Sequence, residues 1–420
     1  MTNEMKNMPE LRFPEFEGNW LSYALKDVKD PKDKYSFTGG PFGSDLKKSD
    51  YKDNGIRIIQ LQNINDGNFN DNYKIYTSSE KADILKSCNI YPGDIVIAKM
   101  ADPLARATIL PQNKENRYLM DSDAIRLKVD DKSFNKIFMV NYINSRRFRR
   151  QAEDNSSGST RMRIGLVTLG QLKISSPNKK EQDIIGDFFS KLDRQIELEE
   201  QKLAKLEEQK KGYMQKIFSQ ELRFKDGNGN NYSEWIKTNL KFLVSYKNGK
   251  GYEKEVVQNG KYNIINLNSI STKGMLKDSG KYSDFEDITL KKNDLIMILS
   301  DVAKGNLIGK TAIIDQDDKY LLNQRVASLR IKDESISNVL FIYYFINYFR
   351  QYFINMSTGM SQLNINKSTV EDFLIYLPYI EEQDKIGNFF SNLDKSIIKQ
   401  LDKIELLKER KKGFLQKMFV

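Results

Sequence analysis

The chain has no histidine and a single cysteine, Cys88. Without histidine it lacks the commonest general base, the commonest metal ligand and every Ser-His or Cys-His nucleophile pair. One cysteine excludes an internal disulfide and a thiolate metal cluster. Tryptophan occurs only at Trp20 and Trp235. The longest apolar run, Val339 to Ile346, is too short to span a bilayer. Met1 to Glu10 is polar and unlike a secretory signal, so a cytoplasmic protein is expected.

What is present is positive charge and repetition. Lys and Arg number 67 against 57 Asp and Glu, giving a net charge of +10 and a pI of about 9.1. That balance points to a polyanionic partner, nucleic acid before membrane, the alternative being a set of merely solvated lysines. A length of 420 residues with 39% hydrophobic content suits two or three globular domains.

The repeat has an offset of 201 residues. Glu181-Gln182-Asp183, Gly186, Phe188-Phe189-Ser190 and Leu192-Asp193 return as Glu382-Gln383-Asp384, Gly387, Phe389-Phe390-Ser391 and Leu393-Asp394. Between 181 and 218, 20 of 38 aligned positions are identical without a gap. Gly158, Ile164, Thr168, Ile174 and Pro177 extend the match to Gly359, Ile365, Thr369, Ile375 and Pro378. Each half also opens alike, Glu10-Leu11-Arg12-Phe13 with Trp20 and Glu221-Leu222-Arg223-Phe224 with Trp235. Two similar bodies related by a pseudo-two-fold are implied, able to meet a two-fold partner or two copies of one partner.

Within each half the pattern is mixed α/β. Short β-branched runs after turns predict strands at 94–98 and 294–298, with return strands at 107–110 and 311–314 and a further pair at 55–59 and 260–265. Helical spacing of apolar residues predicts one helix over 134–152 and one over 339–355. The blocks 181–219 and 382–419 differ in kind. Leu192, Ile196, Leu203, Leu206, Tyr213 and Ile217 form a 3,4-spaced seam broken at Glu199 and Lys210. Leu393, Ile397, Ile404, Leu407, Phe414 and Met418 form its copy, broken at Gln400 and Lys411. A helix approaching 38 residues, roughly 57 Å, with one apolar seam needs a partner, and its own copy matches in length and in breaks. Because each helix ends a half, antiparallel pairing is favoured; a parallel pair would set the bodies side by side.

The expected organisation is two similar mixed α/β domains at 1–180 and 221–381, with helical spacers at 181–220 and 382–420. The spacers are conserved between the copies and the bodies are not. Phe42-Gly43-Ser44-Asp45-Leu46-Lys47 has no clear equal in the second half, where Gly249-Lys250-Gly251-Tyr252 stands in its place. Arg146-Arg147-Phe148-Arg149-Arg150 becomes Asn347-Tyr348-Phe349-Arg350-Gln351. If such surfaces read DNA, the target is bipartite and asymmetric. Inserting one helical turn within 195–210 would then add about 5.4 Å and one or two base pairs between unchanged half-sites.

Over essentially its whole length the chain resembles the specificity (S) subunit of type I restriction-modification systems. The resemblance lies in Leu11-Arg12-Phe13-Pro14 with Trp20, Gly40-Pro41-Phe42-Gly43-Ser44 with Leu46-Lys47, Pro92-Gly93-Asp94-Ile95, Gly158 through Pro177, and Glu181-Gln182 with Ile185 and Leu192-Asp193. The second half lacks the Pro-Phe-Gly-Ser stretch. The resemblance implies two target recognition domains, an antiparallel coiled coil, and a non-catalytic subunit. It implies binding to double-stranded DNA, to two copies of a modification (methyltransferase) subunit and to a restriction (translocase-nuclease) subunit, with no membrane. Cofactors are then expected on other subunits only: S-adenosylmethionine, ATP and Mg.

In keeping with that, the sequence holds no Asn-Pro-Pro-aromatic or Asp-Pro-Pro-aromatic tetrapeptide and no Gly-rich cofactor loop. Gly305 to Thr311 imitates a phosphate loop, but has three residues between its glycines where four are needed and runs into a strand-like Ala312-Ile313-Ile314. Two alternatives stand beside this reading: the specificity subunit of a type II-like system, and a coiled-coil tether spacing two protein-binding domains.

Phosphate contacts call for Lys and Arg, base contacts for Arg, Asn and Gln. In the first half the expected DNA-binding residues are Ser44, Lys47, Gln60, Gln62, Asn63, Lys99, Arg106, Arg161 and Arg163. In the second they are Lys250, Tyr252, Asn266, Asn268, Lys304, Lys310, Gln362 and Asn364. The run Arg146 to Arg150 is at most a phosphate contact. The repeated Tyr213, Gln215, Lys216 and Phe218, with Phe414, Gln416, Lys417 and Phe419, are expected to cap the coiled coil or bind the partner subunits.

Overall fold

The computed structural model describes residues 7–158, 161–301 and 306–419. They divide into two compact units, the first from the described residues up to 201 together with those from 402 onward, the second from residues 202–401.

The first unit begins with β1 (Leu21–Ala24), β2 (Phe37–Gly39), β3 (Ile56–Ile59) and β4 (Ile75–Thr77). Then come α1 (Ser79–Ile84), β5 (Asn89–Ile90), β6 (Ile95–Ala98), β7 (Ala107–Ile109), β8 (Tyr118–Met120) and β9 (Ala124–Leu127). It closes with α2 (Lys136–Ile143), α3 (Arg146–Asp154), α4 (Leu166–Gln171), β10 (Lys173–Ser176) and the start of α5 (Lys179–Phe218). One sheet has the order β2-β9-β6-β7, a second β4-β3-β8-β5 with β3 and β8 parallel, and β1 pairs with β10. Every residue of β6 is buried. Ile95 and Ile97 face Phe138, Tyr142 and Phe148, while Val96 and Ala98 face Ile59 and Met120. A strand covered on both faces reads as a continuous apolar run instead of an alternation.

The second unit repeats this plan. It contains β11 (Ile236–Asn239), α6 (Leu240–Leu243), β12 (Val244–Asn248), β13 (Tyr262–Ile265), β14 (Tyr282–Ser283) and β15 (Leu295–Ile298). These are followed by β16 (Ser300–Asp301), β17 (Thr311–Ile313), β18 (Tyr320–Leu322), β19 (Val326–Ile331), α7 (Val339–Tyr348) and α8 (Gln351–Asn355). The last elements are β20 (Leu363–Asn364), α9 (Lys367–Glu371), β21 (Leu374–Leu377) and the start of α10 (Ile380–Lys417). The order β12-β19-β15-β17 copies β2-β9-β6-β7, and parallel β13 and β18 copy β3 and β8. Thr311 opens a strand, not the helix a phosphate loop needs.

Two predicted helices are in fact broken. The 134–152 segment splits into α2 and α3, and the 339–355 segment into α7 and α8. In the first unit the cause is local: buried Asn144 accepts from Ala107 N–H at 3.0 Å and donates to Ala107 O at 2.8 Å, tying the break to β7. Ser145 then caps α3 by accepting from Phe148 N–H. Asn347 ties α7 to Thr311 of β17 in the same way.

The repeated Glu-Gln-Asp triplet locks each long helix to its unit. Glu181 is fully buried and accepts from Arg12 through both oxygens at 2.7 Å and from Trp20 Nε1 at 3.3 Å. Glu382 does the same with Arg223, at 3.2 and 2.7 Å, and with Trp235 at 3.2 Å. Each guanidinium is held charged above its usual range by that hydrogen-bonded carboxylate. Gln182 accepts from Asn135 N–H and Gln383 from Asn338 N–H, both at 2.9 Å. Asp183 and Asp384 accept from those asparagines' amides, both at 2.7 Å. The helical glycines permit this close approach: a Cβ on Gly186 would stand 2.8 Å from Asn135 Oδ1, and one on Gly387 2.7 Å from Leu340 Cβ. The only two tryptophans and the best-matched triplet are thus one device used twice.

The long helices pair antiparallel in both units. In the first, Leu192 and Ile196 pack with Leu407 and Phe414, and Glu199 pairs with Lys403. In the second, Lys210 pairs with Asp394 and Tyr213 packs edge-on against Phe389. The seam's polar breaks are therefore filled: Lys210 closes on Asp394, and its copy Lys411 closes on Asp193. Gln400 is buried.

Candidate nucleic-acid interface

Four backbone hydrogen bonds define the same scaffold at one end of each unit. In the first, Asp121 N–H donates to Ile59 O, Lys99 N–H to Asp123 O, Gly40 N–H to Ala124 O and Ile164 N–H to Lys99 O, at 2.7–3.0 Å. In the second, Asn323 N–H donates to Ile265 O, Leu299 N–H to Arg325 O, Gly249 N–H to Val326 O and Ile365 N–H to Leu299 O, at 2.9–3.0 Å. The loops after β3, β6 and β8 are thereby brought together, as are those after β13, β15 and β18. Gly40 and Gly249 are equivalent, and for one reason. A Cβ would stand 1.8 Å from Asp121 O in the first unit and 1.9 Å from Asn323 O in the second. Gly249-Lys250-Gly251 is thus the structural counterpart of Gly40-Pro41-Phe42.

In the first unit Gln60, Lys99 and Arg163 meet the turn Asp121-Ser122-Asp123. Gln60 donates to Asp121 Oδ2 at 3.4 Å, Lys99 Nζ to Ser122 O at 2.9 Å, and Arg163 pairs with Asp123. Burial, then the nearby Arg163 charge, lowers the Lys99 ammonium's pKa. Gln62 and Arg161 are exposed; so are Ser44 and Lys47, on the loop leading from Gly40. Arg106 is half-buried, its carbonyl accepting from Ala98 N–H; Lys310 accepts likewise from Ile298 N–H and is its equivalent. Burial, then the charges of Arg350 and Lys210, lowers the Lys310 pKa.

In the second unit Lys250 pairs with Asp287 at 2.8 Å, holding that carboxyl down to about 2. Gln362 donates to Ser300 Oγ, Asn266 caps the turn at 267–269, and Asn268 and Asn364 are exposed. Lys304 lies outside the described residues.

Several expected contacts are corrected. Asn63 is fully buried, donating to Asn70 O and Tyr73 O at 2.9 Å and accepting from Gln60 N–H, so it holds its turn and cannot face DNA. Tyr252 is buried with its hydroxyl on Asp287 at 3.0 Å, and burial followed by that carboxylate pushes it up to about 12. Phe218 is buried among Phe341, Phe345 and Phe390, and Phe419 among Phe138, Tyr142 and Phe189. They neither cap the coiled coil nor face a partner; they anchor helix ends in the domain cores. Phe414 packs on Phe188 within the helix pair. Tyr213, Gln215, Lys216, Gln416 and Lys417 remain exposed.

The Arg146–Arg150 run lies on α3, and its Arg146, Arg149 and Arg150 line a groove of about 1580 Å³ with Lys408, Lys411 and Lys412, Arg149 being paired with Asp66 at 2.6 Å. One residue invisible in the sequence reading is Arg325, exposed at the turn after β18. Composition alone gave no signal for it. The 201-residue offset pairs Asp123 with Gln324, and the one-residue shift that makes Arg325 the counterpart of Asp123 shows only in the backbone hydrogen bonds. Among the described residues no group of three or more acidic or Cys side chains could hold a metal ion, and no helix is long and apolar enough to cross a membrane.

Comparison with known proteins agrees with this architecture. The model of the type I restriction modification DNA specificity domain matches twice, over residues 19–208 and 232–408. The type I restriction enzyme MjaVIII specificity subunit of Methanocaldococcus jannaschii is 25% identical over 255 residues, 57% of this chain; the chain spans 60% of that relative. The crystal structure of a type I restriction-modification S subunit from M. genitalium superposes with a TM-score of 0.61 at 16% identity, covering 98% of this chain and 99% of that one. A chain from the structural work on type I R-M complex assembly and conformational transition gives a TM-score of 0.58 at 13% identity, covering 94% and 96%. With both halves matched by one family model, the chain belongs to the specificity subunit family of type I restriction-modification systems.

Proposed function

We propose that the chain recognises a bipartite, asymmetric DNA target, one half-site per unit, and positions two methyltransferase subunits and a restriction subunit on it. The observation that carries this reading is the loop scaffold itself. The same backbone hydrogen bonds recur in both units while the side chains they present differ: Asp121-Ser122-Asp123 in one, Asn323-Gln324-Arg325 in the other. A conserved frame with divergent tips suits two readers of unlike sequences. Exposed Gln62 and Arg161 in the first unit and Asn268 and Asn364 in the second supply the donor and acceptor groups that base edges require. In this reading the chain does no chemistry. S-adenosylmethionine, ATP and Mg belong to the other subunits, and the exposed Gln215-Lys216 and Gln416-Lys417 pairs offer two equivalent docking points.

The test is to co-express the chain with its modification subunit and map methylated adenines genome-wide. One bipartite motif with unlike halves is expected. No such motif, or methylation by the purified chain given only S-adenosylmethionine, would reject the reading. Binding should also weaken steeply with salt.

A further inference from the structure

Among the described residues, several cations at the scaffold end of the second unit are paired or partly withdrawn from solvent. Lys250 is paired with Asp287, Lys310 is half-buried, and Arg350 donates to the carbonyls of Asn306 and Ile308. Arg325 is different. It is exposed, and its guanidinium makes no hydrogen bond or ion pair with a described residue. Its backbone sits at φ +70°, a left-handed conformation that a residue with a side chain keeps only where surrounding structure enforces it. The enforcement comes from the scaffold: Asn323 N–H is bound to Ile265, Leu299 N–H to Arg325 O and Gly249 N–H to Val326 O. An unpaired guanidinium is thus held at the tip of a backbone fixed from three sides.

The first unit supplies the same group from another strand. The position of Arg325 is taken there by Asp123, and Arg163, just before Ile164, pairs with it. In the second unit the position of Arg163 is held by Asn364. The arginine of this pair of positions thus lies on one segment in the first unit and on the other in the second. Arg325 follows two amides, Asn323 and Gln324, which donate to the carboxylate of Glu253 at 3.4 and 2.7 Å; amides and a carboxylate suit base edges better than phosphates.

We propose that Arg325 reads a base in the half-site of the second unit, and that the base is guanine, whose O6 and N7 match the guanidinium fork in the major groove. This rests on the DNA-reading role proposed above.

The test uses the full chain with its modification subunit and compares methylated motifs for the wild type, Arg325→Lys and Arg325→Asn. Lysine keeps the charge but loses the fork. Asparagine tolerates the left-handed backbone, so its melting temperature should equal or exceed that of the wild type. Both variants are expected to relax a single position of one half-site, with discrimination there falling by about ten-fold or more, and to leave the other half-site intact. An unchanged motif in both variants overturns the proposal. So does an even loss at all sites in Arg325→Asn but not Arg325→Lys, the signature of a phosphate contact. A wild-type chain that yields no bipartite motif removes the DNA-reading role itself, and the proposal with it.

Discussion

Lys411 of α10 closes on Asp193 of α5, and their copies, Lys210 of α5 and Asp394 of α10, each displaced by 201 residues, close on one another. A lysine in an apolar seam weakens packing, but here it finds a carboxylate only when the helices run antiparallel and in register. The Lys411 side chain is 15% exposed and that of Asp193 33%. A double-mutant cycle on Asp193→Ala and Lys411→Ala should give a coupling energy of about 1 kcal/mol, above the usual surface pair and below a fully buried one. Chemical denaturation of the four proteins measures it; zero coupling would make the pair ornamental.

Phe419 fills a pocket between Phe138, Tyr142 and Phe189. Phe419→Ala should destabilise the first unit by about 3 kcal/mol, the lower end for a buried phenylalanine. Phe218→Ala should do the same to the second. Thermal melts of the isolated chain decide this. If stability holds and only assembly with partner subunits suffers, the phenylalanines are interface residues after all.

Arg57 is 2% exposed, with its Nε buried and unpartnered among the described residues, and its charge rests on Asp71. Lys114 and then Arg57 hold the Asp71 carboxyl at about 2 against an ordinary 3.8. A carboxyl depressed in the folded state adds stability above its unfolded pKa and loses it as pH falls through the folded one. Asp71→Asn should therefore cost about 2 kcal/mol at neutral pH. It should also flatten that part of the stability loss between about pH 4 and 2. Urea titrations at several pH values would show a parallel curve instead if the pair contributed nothing.

The elements most legible in the sequence are those whose signal is local. The period of Leu192, Ile196, Leu407 and Phe414 specifies a helix and its buried face, whatever lies elsewhere. The repeat likewise singled out Arg12, Trp20 and Glu181, although not that they touch. Side-chain direction within a turn was not legible. Gln60, Gln62 and Asn63 look equivalent by composition, yet Asn63 points inward because two carbonyls across the loop need a donor. Arg325 carries no local signal, because its setting depends on Leu299 and Gly249, far away in sequence.

The antiparallel pairing of α5 with α10 constrains any change in the length of either helix. Lengthening α5 alone would misalign Lys210 with Asp394. Seven residues, one seam repeat, should instead be added to both helices, after Gln201 and after Leu401. The gain is about 10.5 Å, and the half-sites should move apart by about three base pairs with their sequences unchanged. Altered half-sites at constant spacing would rule out the ruler.

Leu11 N–H donates to Lys417 O at 2.9 Å, and Leu222 N–H donates to Lys216 O at 3.0 Å. The second contact spans a continuous stretch of chain. The first is its copy, made between the opening of the polypeptide and its final helix. Each long helix thus ends against the opening segment of a repeat, along the chain in the second unit and across space in the first. A circular permutant joined through a short linker from 420 to 7 and opened near 220 should fold to the same two units. Its two ends would then merely have traded places.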